Sequence, residues 1–147
     1  MRRRYVAMII GLPVFAVALI GFIASSKKID EETIGLPATW TATVPSHGEL
    51  WENAEINLNE GGKASLTAVP AGEIAKRDGR PCLKQSGKLY SGEAEWAMAD
   101  ESSVILIKYP GGGFPLVADG GKFGSVDWFD AVTPFCDSSV TATYGRR

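Results

Sequence analysis

The chain has 147 residues, a formal net charge of −2, two cysteines and one histidine. That length suits one domain of ordinary size. The single histidine, His47, excludes a metal site built from several histidines and is the only base available to a Ser-His-Asp triad. Three of the 15 basic residues precede residue 5, so the remaining chain carries 12 basic against 17 acidic residues. This acidic balance argues against a nucleic-acid partner, which selects a basic surface.

Residues 5–24 form a run without a charged side chain. A helix rises about 1.5 Å per residue, so this run would span about 30 Å, the thickness of the hydrocarbon core of a bilayer. The segment therefore predicts a single transmembrane helix that contacts the lipid bilayer. Three arginines at positions 2–4 precede the run. The positive-inside rule then places the N-terminus in the cytoplasm and the C-terminal domain outside the cell membrane.

The end of the apolar run also fits a signal peptide. Residues 24–26 are small, which would allow cleavage near Ser26 and secretion of the remainder. Both interpretations give the same division of the chain. Residues 1–26 are a membrane anchor or signal peptide, residues 27–37 a charged tether, and residues 38–147 an extracytoplasmic β domain.

The two cysteines, Cys82 and Cys136, both follow the apolar run. An even pair in an exported domain predicts one disulfide. It would close a loop of about 55 residues and stabilise the fold by roughly 4 kcal/mol in the chain-entropy model. The pair lacks the spacing of a redox motif, so we expect a structural role.

The exported part alternates apolar and polar residues with a period of two, which is typical of strands. Glycine-rich turns separate these runs, and helical periodicity is nearly absent. We therefore predict a mainly β fold: an antiparallel up-and-down meander, curled into a barrel or a strongly curved sheet, with one disulfide. The predicted strands are 38–44, 55–59, 63–69, 92–98, 104–109, 114–118, 123–130 and 139–144.

Residues 70–89 interrupt this alternation with prolines, glycines and five basic residues. We predict a long loop pinned by the disulfide, with a short helix at 71–76 as an option. Within it, Lys76, Arg77 and Arg80 are candidate contacts for anionic headgroups, an envelope polymer or an acidic partner protein. The alternative for these residues is a solvated loop.

Trp51 is a further candidate contact residue. It falls outside the strand alternation, so an exposed contact is one option for this side chain. The other three tryptophans lie on the apolar side of their predicted strands, where core packing explains them: Trp40, Trp96 and Trp128.

One pair of carboxylates, Glu93 and Glu95, would project from the same strand face about 7 Å apart. Paired carboxylates at such separations can hydrolyse glycosides. A solvated outer face explains acidic residues at this period more simply. We therefore expect no catalytic residue, no cofactor and no metal, and predict that the protein is not an enzyme.

Several motifs resemble a group of uncharacterised exported proteins of actinobacteria, over residues 36–130. They are a Thr-Trp strand, a glycine hairpin ending in a Pro, and a Ser-Gly strand with a Trp: Thr39-Trp40, residues 59–63 with Val69-Pro70, and Ser91-Gly92 with Trp96. More distantly the arrangement is similar to small lipocalin-like barrels, although Gly35 stands five residues before Trp40 rather than two. The resemblance implies export and a small β domain. The group has no assigned activity, so it implies no site.

These observations favour a non-enzymatic binding or interaction module of the cell envelope. The alternative is a lipocalin-like carrier of a small apolar ligand, and a more distant one is an envelope hydrolase. A void inside the barrel would favour the carrier, whereas a solid core would oppose it.

Overall fold

The computed structural model describes residues 31–43, 51–100, 103–120, 126–138 and 140–147. The predicted transmembrane segment, the cleavage position near Ser26 and His47 lie outside these ranges. Within them, no helix has the length and apolar character needed to cross a bilayer. Eight strands are described: β1 (Ala38–Ala42), β2 (Glu55–Asn59), β3 (Lys63–Arg77), β4 (Arg80–Met98), β5 (Val104–Tyr109), β6 (Gly112–Ala118), β7 (Asp130–Pro134) and β8 (Thr141–Arg146).

The eight strands form a closed antiparallel barrel. Each strand pairs with the next along the chain, and β8 pairs with β1 to complete the circle. The predicted mainly β fold and up-and-down meander are confirmed, and the sheet is closed rather than open. Closure leaves none of these strands with a free edge in the barrel wall.

Alternation along each strand places apolar side chains inside the barrel. In β2, Ile56 and Leu58 are fully buried, while Asn57 between them faces outward and accepts a 2.6 Å hydrogen bond from the Thr39 hydroxyl. β5 repeats the pattern. The inward residues of neighbouring strands meet in register, which gives one continuous core.

Trp40 links the beginning and the end of the chain within this core. Its indole Nε1 donates to the Trp128 carbonyl at 3.0 Å, and the two rings meet edge to face. The Arg146 guanidinium lies 5.4 Å from the Trp40 ring centroid, a cation–π distance. Arg146 also donates to the carbonyls of Ile34 and Gly35. The segment leading into β1 is thereby fixed against β8.

Five predicted strands agree with the observed ones to within two residues. β2 and β5 match their predicted bounds, and three others shift by two residues at one or both ends: β1, β6 and β8.

The prediction of a loop at 70–89, with an optional helix at 71–76, is wrong. β3 and β4 continue through these residues as one long hairpin that turns at Asp78 and Gly79. The register shifts twice, between Leu66 and Val69 and again just beyond Pro70. The first shift inserts one extra residue into β3 and the second leaves two extra residues in β4, so the sequence shows no continuous alternation through the hairpin.

The predicted strand at 123–130 is also wrong over its described part, and residues 123–125 lie outside the described ranges. Residues 126–129 belong to no strand, and β7 begins only at Asp130. Trp128 is buried as predicted, but because it packs on Trp40 rather than through strand pairing. Burial by a tertiary contact produced the same apolar signal as burial on a strand.

A substitution at Gly72 tests the described path of the long hairpin. A Cβ added there would lie 2.0 Å from the Lys84 carbonyl oxygen, and backbone cannot move aside cheaply. We expect Gly72→Ala to lower the free energy of unfolding by about 2 kcal/mol or more, measured by urea denaturation. In the control Gly79→Ala, the new Cβ meets nothing within 4 Å. Only the strain of a positive φ applies there, about 1 kcal/mol. Equal losses of unfolding free energy in the two variants would contradict the described close approach of Gly72 to the Lys84 carbonyl.

Candidate functional site

The outer part of the long hairpin, residues 70–89, is here named the hairpin arm. It pairs only with itself along the sheet, since β2 and β5 reach no further than Thr67 and Glu95. β3 runs in the same direction as β1, so the arm leaves the barrel at the end opposite the start of β1. The arm then folds back over that end. The Gly72 amide donates to the Tyr109 hydroxyl at 3.2 Å, at the end of β5.

Leu83 holds the arm against the barrel. Its side chain is fully buried and belongs to the same core as the inward residues of the strands. Its backbone forms a parallel bridge with Phe135, and the Cys136 amide donates to the Leu83 carbonyl at 3.0 Å. Phe135 in turn packs edge to face on Trp51, with ring centroids 5.2 Å apart. The arm therefore contributes to the core.

A disulfide between Cys82 and Cys136 fixes this contact covalently, as predicted. It joins the arm to the residues that directly follow β7. The Arg77 guanidinium adds hydrogen bonds to the carbonyls of Cys136 and Ser138, at 3.3 and 3.2 Å. Covalent and polar contacts thus hold the tip of the arm against the outer wall of the barrel.

A groove of about 810 Å³ lies between the arm tip and that wall. This volume is within the range of about 300–1,000 Å³ typical of small-molecule sites. The arm contributes residues 77, 78 and 80–82, and the wall contributes residues from β5 to β8. Val140, which is 48% exposed, lies beside the groove and adds to its apolar surface.

Three valines form the bottom of the groove, here named the valine floor: Val104, Val117 and Val132. They pair in register across β5, β6 and β7, so they form one row about 10 Å wide. They face away from the core because the neighbouring residue on each strand points into it: Ile105, Leu116 and Ala131. Val104 is itself only 4% exposed, so Val117 and Val132, which are half-buried, present most of the accessible floor. Each of the three strands is paired on both sides, so the floor offers methyl groups rather than backbone hydrogen-bonding groups.

Two arginines, Arg77 and Arg80, lie at the edge of the groove and are here named the arginine rim. Asp78 between them offsets one charge, which leaves the rim with a net charge of +1. Both guanidinium groups are on exposed residues. The Arg80 guanidinium forms no ion pair or hydrogen bond with any other residue that the structure describes. Its charge is therefore available to a ligand.

The predicted contact residues fall into three different surroundings. Arg77 and Arg80 line the groove. Lys76 is exposed on the arm and is not among the residues that line the groove. Trp51 is only 7% exposed, so the option of an exposed contact at this position is wrong. It is buried because Phe135 packs on it when the arm closes the barrel end.

The sequence prediction did not include the valine floor, although a signal was present. Residues 104–107 are apolar at consecutive positions, so both faces of this strand carry apolar side chains. In the structure Ile105 and Ile107 fill the barrel, and Val104 on the other face lines the groove. An apolar outer face on a barrel strand can therefore indicate an external site.

The inside of the barrel is filled by side chains. Trp40, Ile56 and Ile107 expose none of their surface, so no space large enough for a water molecule adjoins them. Eight-stranded barrels have an interior just wide enough for side chains or for one small ligand. Here side chains occupy it around these residues, which argues against a carrier with its ligand in the core.

Two polar atoms within this core have no hydrogen-bond partner in the described parts of the chain: Trp128 Nε1 and the Tyr144 hydroxyl. The Tyr144 hydroxyl is buried and makes no hydrogen bond in the described parts of the chain. The Thr133 hydroxyl, which is adjacent, donates instead to the Pro115 carbonyl at 2.9 Å. Burial raises the pKa of Tyr144 well above its ordinary value, and Thr133 opposes this shift only in part.

The paired carboxylates Glu93 and Glu95 lie on the outer face, as predicted. Both are exposed, and Glu95 forms a surface ion pair with Lys63 at 3.3 Å. A depression of about 590 Å³ adjoins them. A carboxyl that acts as a general acid near neutral pH needs desolvated surroundings. Neither side chain has them, so we assign no reaction to this pair.

Comparison with known proteins leaves the site to be interpreted from its own geometry. No family model, curated protein or solved structure matches the chain. Across the described ranges, no three residues among His, Cys, Asp and Glu are grouped so that they could hold a metal ion.

The buried Tyr144 hydroxyl leads to a prediction about stability. Replacement by Phe removes an unpartnered polar atom, so Tyr144→Phe is expected to raise the free energy of unfolding by about 1 kcal/mol at pH 7. The unfolded chain releases the tyrosine proton near pH 10, whereas the folded chain retains it. The contribution of the neutral Tyr144 to the free energy of unfolding is therefore fully present below about pH 10 and is lost as the pH rises further.

Urea denaturation at pH 7 and at pH 11 measures both effects. The gain from Tyr144→Phe should be larger at pH 11. As a control, Tyr90→Phe removes a hydroxyl that donates to the Glu93 carbonyl at 2.8 Å, and it should not stabilise the protein at pH 7. A loss of stability in Tyr144→Phe at both pH values would show that the hydroxyl has a partner.

Proposed function

We propose that the protein is a membrane-anchored, extracytoplasmic binding module of the cell envelope, without catalytic activity of its own. The observation that carries this proposal is the groove of about 810 Å³ outside a filled barrel, with an apolar floor and a cationic rim. The barrel acts as the scaffold, and the hairpin arm forms the second wall of the binding site.

The attachment of the arm supports a binding role. Leu83, the disulfide and the Arg77 hydrogen bonds fix the arm before any ligand arrives. A wall that is already ordered costs little conformational entropy on binding, so more of the contact energy contributes to affinity.

The placement outside the membrane has three supports. Residues 5–24 have the length and composition of a transmembrane helix. A disulfide that fixes the fold is typical of oxidising compartments. The resemblance to exported actinobacterial proteins favours the same placement.

A photocrosslinking amino acid at position 132 tests this proposal in intact cells. Val132 lies on the groove floor, so we expect a discrete adduct with whatever occupies the groove. The same amino acid at Thr67, an exposed position on β3, is the matched control and should give no such adduct.

The double substitution Cys82→Ser with Cys136→Ser provides the second comparison in this experiment. It releases the arm tip, so the adduct at position 132 should decrease several-fold. An adduct of equal yield at positions 132 and 67, or one that is unaffected by loss of the disulfide, would contradict binding in the groove.

A further inference from the structure

We propose that the groove binds an anionic amphiphile, a single aliphatic chain ending in a carboxylate, with the chain on the valine floor and the carboxylate at the arginine rim. This inference rests on the proposed function and specifies the chemistry of its ligand. It does not involve the interior of the barrel.

The valine floor favours an apolar group that carries no polar substituents. Val117 and Val132 are half-buried and present methyl groups on two adjacent strands about 5 Å apart, with the buried Val104 beside them, and their backbone groups are paired there. A peptide that binds by strand addition needs an unpaired edge, and at the valine floor β6 and β7 are each paired on both sides. An aliphatic chain needs only apolar contact, so it fits this surface better than an extended peptide does.

The rim selects a negative charge at one end of that group. Arg77 is oriented by its hydrogen bonds to the carbonyls of Cys136 and Ser138. Arg80 has no described partner and lines the same groove. Asp78 leaves a net charge of +1, which matches one carboxylate. Arginine binds carboxylates through two parallel hydrogen bonds, which fixes the orientation of the ligand.

The ligand position can be mapped with a diazirine analogue of decanoate. The full chain is placed in nanodiscs of phosphatidylcholine, which is zwitterionic, then irradiated with the analogue and digested for mass spectrometry. We expect the label on peptides that contain Val104, Val117 or Val132. An analogue ending in an alcohol should label these peptides much less, because it lacks the charge that the rim selects.

Arg80→Gln and Lys84→Gln form a matched pair of variants. Both remove one positive charge from the exposed surface of the arm, but only Arg80 lines the groove. We expect Arg80→Gln to reduce labelling roughly tenfold, as for loss of a charge-assisted hydrogen bond. Lys84→Gln should leave labelling unchanged, and Arg80→Lys should restore most of it.

Three results would overturn this inference: equal labelling by the carboxylate and the alcohol, equal effects of Arg80→Gln and Lys84→Gln, or a label confined to other surfaces. Displacement of the label by an acidic peptide but not by unlabelled decanoate would also overturn it. If the adduct at position 132 forms in cells while decanoate fails to label, the groove binds another class of ligand and the proposed function stands. If both fail, the proposed function fails with it.

Discussion

The attachment of the hairpin arm to the end of β7 is the constraint on which the binding surface depends. A two-stranded hairpin is marginally stable by itself in water. The Cys82–Cys136 bond, the Leu83–Phe135 bridge and the burial of Leu83 hold this hairpin against the barrel. The arm tip is one wall of the groove, so the shape of the groove follows directly from this attachment.

Different side chains of the barrel strands stabilise the fold and form the groove. Inward residues such as Leu116 on β6 and Ala131 on β7 fill the barrel and stabilise it. Outward valines on the same strands, Val117 and Val132 among them, form the groove floor. One strand therefore supplies both surfaces because its side chains alternate between two faces. A barrel that is filled inside can in this way still present an apolar site on its outside.

Local patterns predicted the parts of the fold that obey a strict period. β2 and β5 were predicted at their observed bounds, and the pairing of Cys82 with Cys136 followed from composition and placement. The arm could not be predicted, because its two bulges interrupt the alternation. The groove could not be predicted either. It depends on how the arm folds back onto β6 and β7, and neither contact is local in sequence.

Hydrogen exchange tests the attachment of the arm most directly. Amide exchange of the full chain is compared with that of the Cys82→Ser, Cys136→Ser variant. We predict that the amide of residue 136, bonded to the Leu83 carbonyl, and the amides of residues 70–89 lose protection in the variant. The amides of β1 and β2 should keep theirs. Unchanged protection of the arm in the variant would contradict the account, because the groove would then not depend on the disulfide.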